Sequence, residues 1–312
     1  AGNQIIDGVG IVSVMNSGYQ EVKSNGSAVV STMNNGLQRL SSGGGGTIST
    51  MNGGTQRIFD NATGGIVSVM NNGWQVIFGD TIGIISTMSS GTQDITRLGG
   101  TGIINTMDAG IQRISEGIGT VSTMSGGTQE VLRGGTSLDT TIYGGTQIVK
   151  SAGSALNTTL DGGTAIMTNS GAIVRDIVMT DGEYLLGADG GNYNIGGKFE
   201  FVGGKLDMTK AVPGLTPEWI MPPGTYETLT IENLEKGGGT FVMDTDLASE
   251  TNGDKIAITN AEAGSTYYVQ VKDASLTNNT PVLGEKKLLL ITDASKNAIF
   301  VGKEINNGGI WE

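Results

Sequence analysis

Hydrophobic and polar residues recur in blocks along the first half of the chain. A representative block runs Ile48-Ser49-Thr50-Met51, the turn sequence Asn52-Gly53-Gly54, then Thr55-Gln56-Arg57-Ile58, and a second turn, Asp60-Asn61-Ala62-Thr63-Gly64-Gly65. Nine glutamines (Gln4, Gln20, Gln38, Gln56, Gln75, Gln93, Gln112, Gln129, Gln147) follow one another at steps of 16 to 19 residues. Five residues before each from Gln20 to Gln129 stands a methionine: Met15, Met33, Met51, Met70, Met88, Met107 and Met124. A glycine precedes each glutamine by two places from Gln20 onward, and an aliphatic residue follows it by two. The unit G-x-x-[IV]-S-[TV]-M-x-x-G-x-Q-x-[IV] is a solenoid repeat, too short for a pair of helices and sized for one rung of a parallel β-helix.

Side chains alternate along a strand. If Met51 points inward, Ser49 should do so as well, with Thr50 outside; if Ile58 points inward, so should Gln56, with Thr55 and Arg57 outside. Parallel rungs lie about 4.8 Å apart, so equivalent residues stack. Methionine over methionine would fill a narrow core adaptably, and glutamine over glutamine would form a hydrogen-bonded amide ladder. Both columns are read as core. The expected fold is all-β: a right-handed parallel β-helix of ~18-residue rungs with a β-rich C-terminal cap.

Composition narrows the function. The chain of 312 residues holds 53 Gly and only 5 Pro, as tight turns between short strands require. Aromatic residues make up 5%, so the core is expected to be mainly aliphatic and Met. The net charge of −12 disfavours nucleic acid and anionic headgroups. With no His and no Cys, the usual zinc, thiol and Ser-His chemistries have no residues to use.

Regular rungs are expected over residues 1–164 and irregular ones over 165–211. A break rich in proline (Pro213, Pro217, Pro222, Pro223) lies within 212–223, and a β-rich cap is expected over 224–312. In the cap, strands are expected at Tyr226–Ile231, Gly239–Met243, Lys255–Ile258, Tyr267–Val271, Lys287–Ile291 and Ala298–Val301. The runs Leu229-Thr230-Ile231-Glu232-Asn233-Leu234, Gly239 to Leu247 and Gly253-Asp254-Lys255 resemble the autochaperone segment that closes β-helical passengers of bacterial type V autotransporters. The G-G-x-Q-x-[IV] rungs are similar to those of the AIDA and antigen-43 group of self-associating autotransporters, although Met stands here where that group has Ile or Val. The resemblance implies a bacterial surface adhesin passenger, secreted and anchored in the outer membrane through a translocator barrel expected to be absent from this chain. It further implies autoaggregation, biofilm formation and host-cell attachment, and O-glycosylation with heptose by a dedicated cytoplasmic transferase.

Sites follow from that reading. The stripe formed by Thr32, Thr50, Thr87 and Thr123 with the turn residues Asn34, Asn35, Asn52, Asn71 and Asn72 is the candidate self-association surface. Thr32, Thr50, Thr87, Ser89, Thr123 and Ser125 are candidate O-glycosylation positions. Expected partners are the same protein on neighbouring cells, a host receptor or glycan, and the modifying glycosyltransferase, with no cofactor and no nucleic acid. No catalytic or metal site is assigned. The outward column Glu21, Arg39, Arg57, Val76, Asp94, Arg113, Glu130 stacks no two carboxylates. Asp176, Asp181, Glu183, Asp189 and Asp207 read as solvated turn charges, and Asp244, Asp246 and Asp254 lack the spacing of a calcium loop. Two other readings stay open: a carbohydrate-active β-helix enzyme, lyase or glycosidase, and a stalk for an N-terminal head.

Overall fold

The computed structural model describes residues 2–187, 191–209, 225–247, 249, 251–273 and 287–303. The proline-rich break, with Trp219, and Asp189 lie outside them. Every regular element among the described residues is a β-strand, and the coil they form is consistent with a right-handed parallel β-helix. Two compact units are present: Ala1–Ile148 with Ala152–Leu156, and Val149–Ser151 with Asn157–Glu312.

In the first unit each rung has a seven-residue and a four-residue strand, as in β6 (Gly45–Met51) and β7 (Thr55–Ile58). They pair in parallel with β8 (Gly64–Met70) and β9 (Trp74–Ile77), keeping Met51 opposite Met70 and Gln56 opposite Gln75. The next rung, β10 (Ile82–Met88) and β11 (Thr92–Ile95), repeats the register. The turn between the strands closes on a glycine in the left-handed region, such as Gly54 (φ 86°) or Gly73 (φ 107°). A Cβ on Gly54 would stand 2.7 Å from the Gly36 carbonyl oxygen of the previous rung, so both conformation and space select glycine.

Strict alternation fails inside the seven-residue strand. Ile48 and Met51 are both buried while Ser49, expected inside, is exposed. The strand turns a corner there: inter-rung pairing skips Ser31 against Ser49 and resumes at Thr32 against Thr50. The corner resets side-chain direction, so two core residues lie three places apart. The short strand keeps its alternation, with Gln56 and Ile58 buried and Arg57 exposed.

Besides the wholly buried aliphatic column Val30, Ile48, Val67, Ile85, Ile104 and Val121, the core has three stacked columns. Met33 to Met124 are wholly buried, and Ile142 continues them against Met124. The glutamines form an uninterrupted amide ladder. From Gln38 to Gln147 each Nε2 donates to the preceding Oε1 at 2.7–2.8 Å, and Gln20 reaches Gln4 at 3.4 Å. The second amide proton of Gln75, Gln93 and Gln112 goes to the carbonyl oxygens of Gly65, Gly83 and Gly102 at 3.2–3.3 Å. A buried amide left unpaired would cost about 1–3 kcal/mol, and the ladder removes that penalty rung after rung.

The third column pairs large with small. Gly46, Gly65, Gly83, Gly102 and Gly119 lie against Leu40, Ile58, Ile77, Ile95 and Ile114, whose δ-carbons would stand 2.3–2.7 Å from an added Cβ. Where the aliphatic residue is the shorter Val22 or Val131, the glycine is replaced by the buried Ala28 or Ser137. The Ser137 hydroxyl then donates to Gln129 Oε1 at 2.9 Å and feeds the amide ladder.

In the second unit the rungs lengthen. β22 (Thr228–Glu235) pairs in parallel with β24 (Lys255–Ala261), and β24 with β26 (Ile291–Asp293). β23 (Thr240–Thr245) pairs with β25 (Thr266–Asp273), and β25 with β27 (Ile299–Gly302). The strand expected at Lys287–Ile291 begins only at Ile291, although the Leu290 carbonyl oxygen already accepts from the Ile256 amide of β24 at 2.9 Å. The core here is aromatic, contrary to the expectation from composition. Phe199 and Phe201 stack at 4.8 Å, Phe241 meets Phe201 edge-on at 5.1 Å, and Tyr267 links this cluster to Phe300. The few aromatics are concentrated where wider rungs leave more interior to fill.

Candidate functional surface

The regular rungs of the first unit turn their side chains outward in columns of known content. Thr32 lies against Thr50, Val69 against Thr50 and Thr87, and Thr106 against Thr87 and Thr123. The predicted threonines are thus neighbours in one half-exposed column that Val69 interrupts.

The turn asparagines are exposed but partly committed. Asn34 Nδ2 donates to Asn16 Oδ1 at 2.7 Å, Asn52 to Asn34 at 2.9 Å and Asn71 to Asn52 at 2.8 Å. Asn35 and Asn72 each accept from the following glycine amide at 2.8 Å, which holds the turn. Ser89 and Ser125 are exposed and continue the asparagine column, with the same backbone bond to the methionine of the rung below. The asparagines therefore build the turns as well as face solvent.

A column that parity on one example rung did not bring out runs along the outer face of the long strands. Ile66, Ile84 and Ile103 are register neighbours there, with Ile11 and Val29 earlier in the same column. Ile11 is 73% and Ile66 40% exposed, and the flanking Ile82 is 48% exposed. The signal was present in the sequence as an aliphatic residue directly before the buried one, as Ile66 before Val67 and Ile84 before Ile85, but strict alternation counted back from the methionine turns it inward.

The charged column forms ion pairs. Arg113 bridges Asp94 at 2.9 Å and Glu130 at 3.0 Å, and Arg39 lies 3.9 Å from Glu21. The carboxylates of these pairs are half-buried, and in this column each stands next to an arginine or an uncharged residue, so no two are stacked.

In the second unit Asp176, Asp181 and Glu183 lie along one strand, while Asp207, Asp244 and Asp254 are near enough to act on one another. Asp176 Oδ1 accepts from the Lys198 amide at 3.0 Å, Glu183 stands opposite Lys205, and Asp181 is exposed. Asp207, expected in solvent, is buried and accepts from the Thr209 amide and hydroxyl at 2.8 and 2.7 Å. Asp254 is also buried. Its Oδ1 accepts from the Glu227 amide at 3.0 Å and its Oδ2 from the Asp244 amide at 2.7 Å, fastening β23 beside the chain that enters β22. Burial pushes the Asp244 carboxyl up to about 6, with the Asp254 charge adding to the rise and Lys272 opposing it. Among the described residues no group of three or more acidic side chains is arranged to hold a metal ion.

Residues 197–310 match the Pertactin family model. The likeness is to an autotransporter passenger. It falls on the long-runged second unit and covers the segment whose sequence resembles a passenger-closing autochaperone. Passengers of this kind are secreted or surface-displayed, and the match is consistent with that location. No curated protein matches the chain.

Proposed function

We propose that this chain is the passenger of a bacterial surface adhesin of the AIDA and antigen-43 type, acting in autoaggregation, biofilm formation and host-cell attachment without enzymatic activity. The observation that carries the reading is the in-register repetition of one rung, which presents the same outward chemistry over and over in the first unit. The Pertactin match in the second unit supports the passenger part of it.

Association runs laterally through the threonine column and the aliphatic column beside it. Each hydrogen bond contributes about 0.5–1.5 kcal/mol, and exposed aliphatic side chains add burial at roughly 25 cal/mol per Å². Many copies per cell then convert a weak pairwise contact into firm adhesion. Thr32, Thr50, Thr87, Ser89, Thr123 and Ser125 are proposed heptose acceptors; the threonines are half-buried just before the column methionines, and Ser89 and Ser125 are exposed just after them. Displaying the chain on a non-aggregating bacterium through a translocator barrel tests the reading. Clumping that is lost when Thr87 and Thr106 become lysine is the expected result; unchanged clumping in that variant, or none in the unaltered chain, refutes it. Intact mass of protein from the native host, showing or lacking heptose-sized additions, decides the modification separately.

A further inference from the structure

In the column that precedes the glutamines, most positions carry threonine or an aliphatic residue, but Trp74 stands 54% exposed on the outer face of β9. It walls a shallow depression of about 420 Å³ lined by Gly53, Gly54, Thr55, Asn72 and Gly73. Gly53, Gly54 and Gly73 contribute no side chains to it, and Gly54 and Gly73 stand in the left-handed region (φ 86° and 107°) that selects glycine.

The lining has a definite chemistry. It holds one broad aromatic face, one hydroxyl and one amide, and no charged group. Asn72 Oδ1 accepts from the Gly73 amide at 2.8 Å, which orients the side chain, and its Nδ2 is the group that can donate. A ligand that fits has one apolar face for the indole and hydroxyls at its edge for Asn72 and Thr55. A nucleotide fails because its phosphate meets a chain of net charge −12.

We propose that Trp74, Asn72 and Thr55 form a binding site for the terminal pyranose of a neutral glycan. The sugar lays the C–H face of its ring on the indole, and its hydroxyls bond the Asn72 amide and the Thr55 hydroxyl. The site is open, so single-site binding is weak, and adhesion through it depends on many copies. This deepens the adhesive reading by naming a partner class, yet it does not depend on self-association, which sedimentation measures independently.

Saturation-transfer NMR with methyl β-D-galactopyranoside and methyl β-D-glucopyranoside tests it on the whole chain. The expected result is transfer to the protons of one ring face of at least one glycoside. Trp74→Ala should weaken binding at least tenfold, Trp74→Phe should keep part of it, and Asn72→Ala should weaken it while leaving the aromatic wall in place. Because Trp74→Phe preserves an aromatic wall, a folding defect in the alanine variant alone does not decide the outcome. No transfer to either glycoside, or equal transfer from the unaltered chain and from a folded Trp74→Ala variant, overturns the proposal.

Discussion

Substituting Gly83 by alanine sets two opposed effects against each other. Replacing glycine by alanine in an extended backbone ordinarily stabilises by about 0.4–1 kcal/mol, because the unfolded chain loses freedom. Here the new methyl would stand 2.5 Å from Ile77 Cδ1, 2.7 Å from Gln75 Oε1 and 2.8 Å from Ile77 Cγ1, with both side chains fully buried. Overpacking of this kind costs about 1–3 kcal/mol, so Gly83→Ala is expected to destabilise by roughly 1–2 kcal/mol net. Ile77→Val alone removes the offending δ-carbon and leaves a void, at about 0.5–1.5 kcal/mol. Together the two recreate the Val22–Ala28 arrangement already present in an earlier rung, and the double variant should be more stable than the sum of the singles by about 1 kcal/mol or more. Urea unfolding followed by circular dichroism, with hydrogen exchange at the amides of β10 as a local readout, measures all three. A neutral or stabilised Gly83→Ala, or a double variant that is simply additive, would refute the size-matching argument.

Three further outcomes follow from the core and the acidic cluster. Met88→Ile should change stability by less than about 1.5 kcal/mol, since Ile142 occupies the same column, whereas Met88→Ala should cost about 2–5 kcal/mol; thermal melts distinguish them. Gln93→Glu places a carboxylate against Gln75 Oε1 and the Gly83 carbonyl oxygen, which now accept from the amide. It should destabilise by about 3 kcal/mol or more at neutral pH and regain part of that below the carboxylate's raised folded pKa, where the acid can donate again. Asp244, held near 6 against an ordinary 3.8, favours the folded state when protonated. Its contribution is present below about pH 4 and is lost as pH rises through 6, worth about 1 kcal/mol after allowance for its partial exposure; hydrogen exchange of β23 across pH should show the trend, and Asp244→Asn should flatten it.

The fold was legible because the repeat acts at every level at once. Met and Gln recur at one spacing, and a buried amide finds its partner most directly in the equivalent amide of the next rung, so the columns and the amide ladder could be read from the sequence. The corner at Ser49 was not legible. Alternation is a property of a straight strand, and nothing in Ile48-Ser49-Thr50-Met51 by itself announces that the strand bends at the serine. The aromatic core of the second unit was hidden for a different reason: composition averages over the chain, and Phe199, Phe201, Phe241 and Tyr267 meet only when long rungs bring them together. The threonine stripe could be placed by spacing alone, while the asparagine ladder and the carbonyl contact that selects glycine at Gly54 depend on how successive turns stack.

Sedimentation velocity of the purified, unmodified chain across concentration bears most directly on the adhesive account. Reversible, concentration-dependent dimers that disappear in the Thr87→Lys/Thr106→Lys variant are the predicted result. A strict monomer at every concentration, or dimers that the lysine variant leaves intact, would contradict lateral association through the threonine and aliphatic columns.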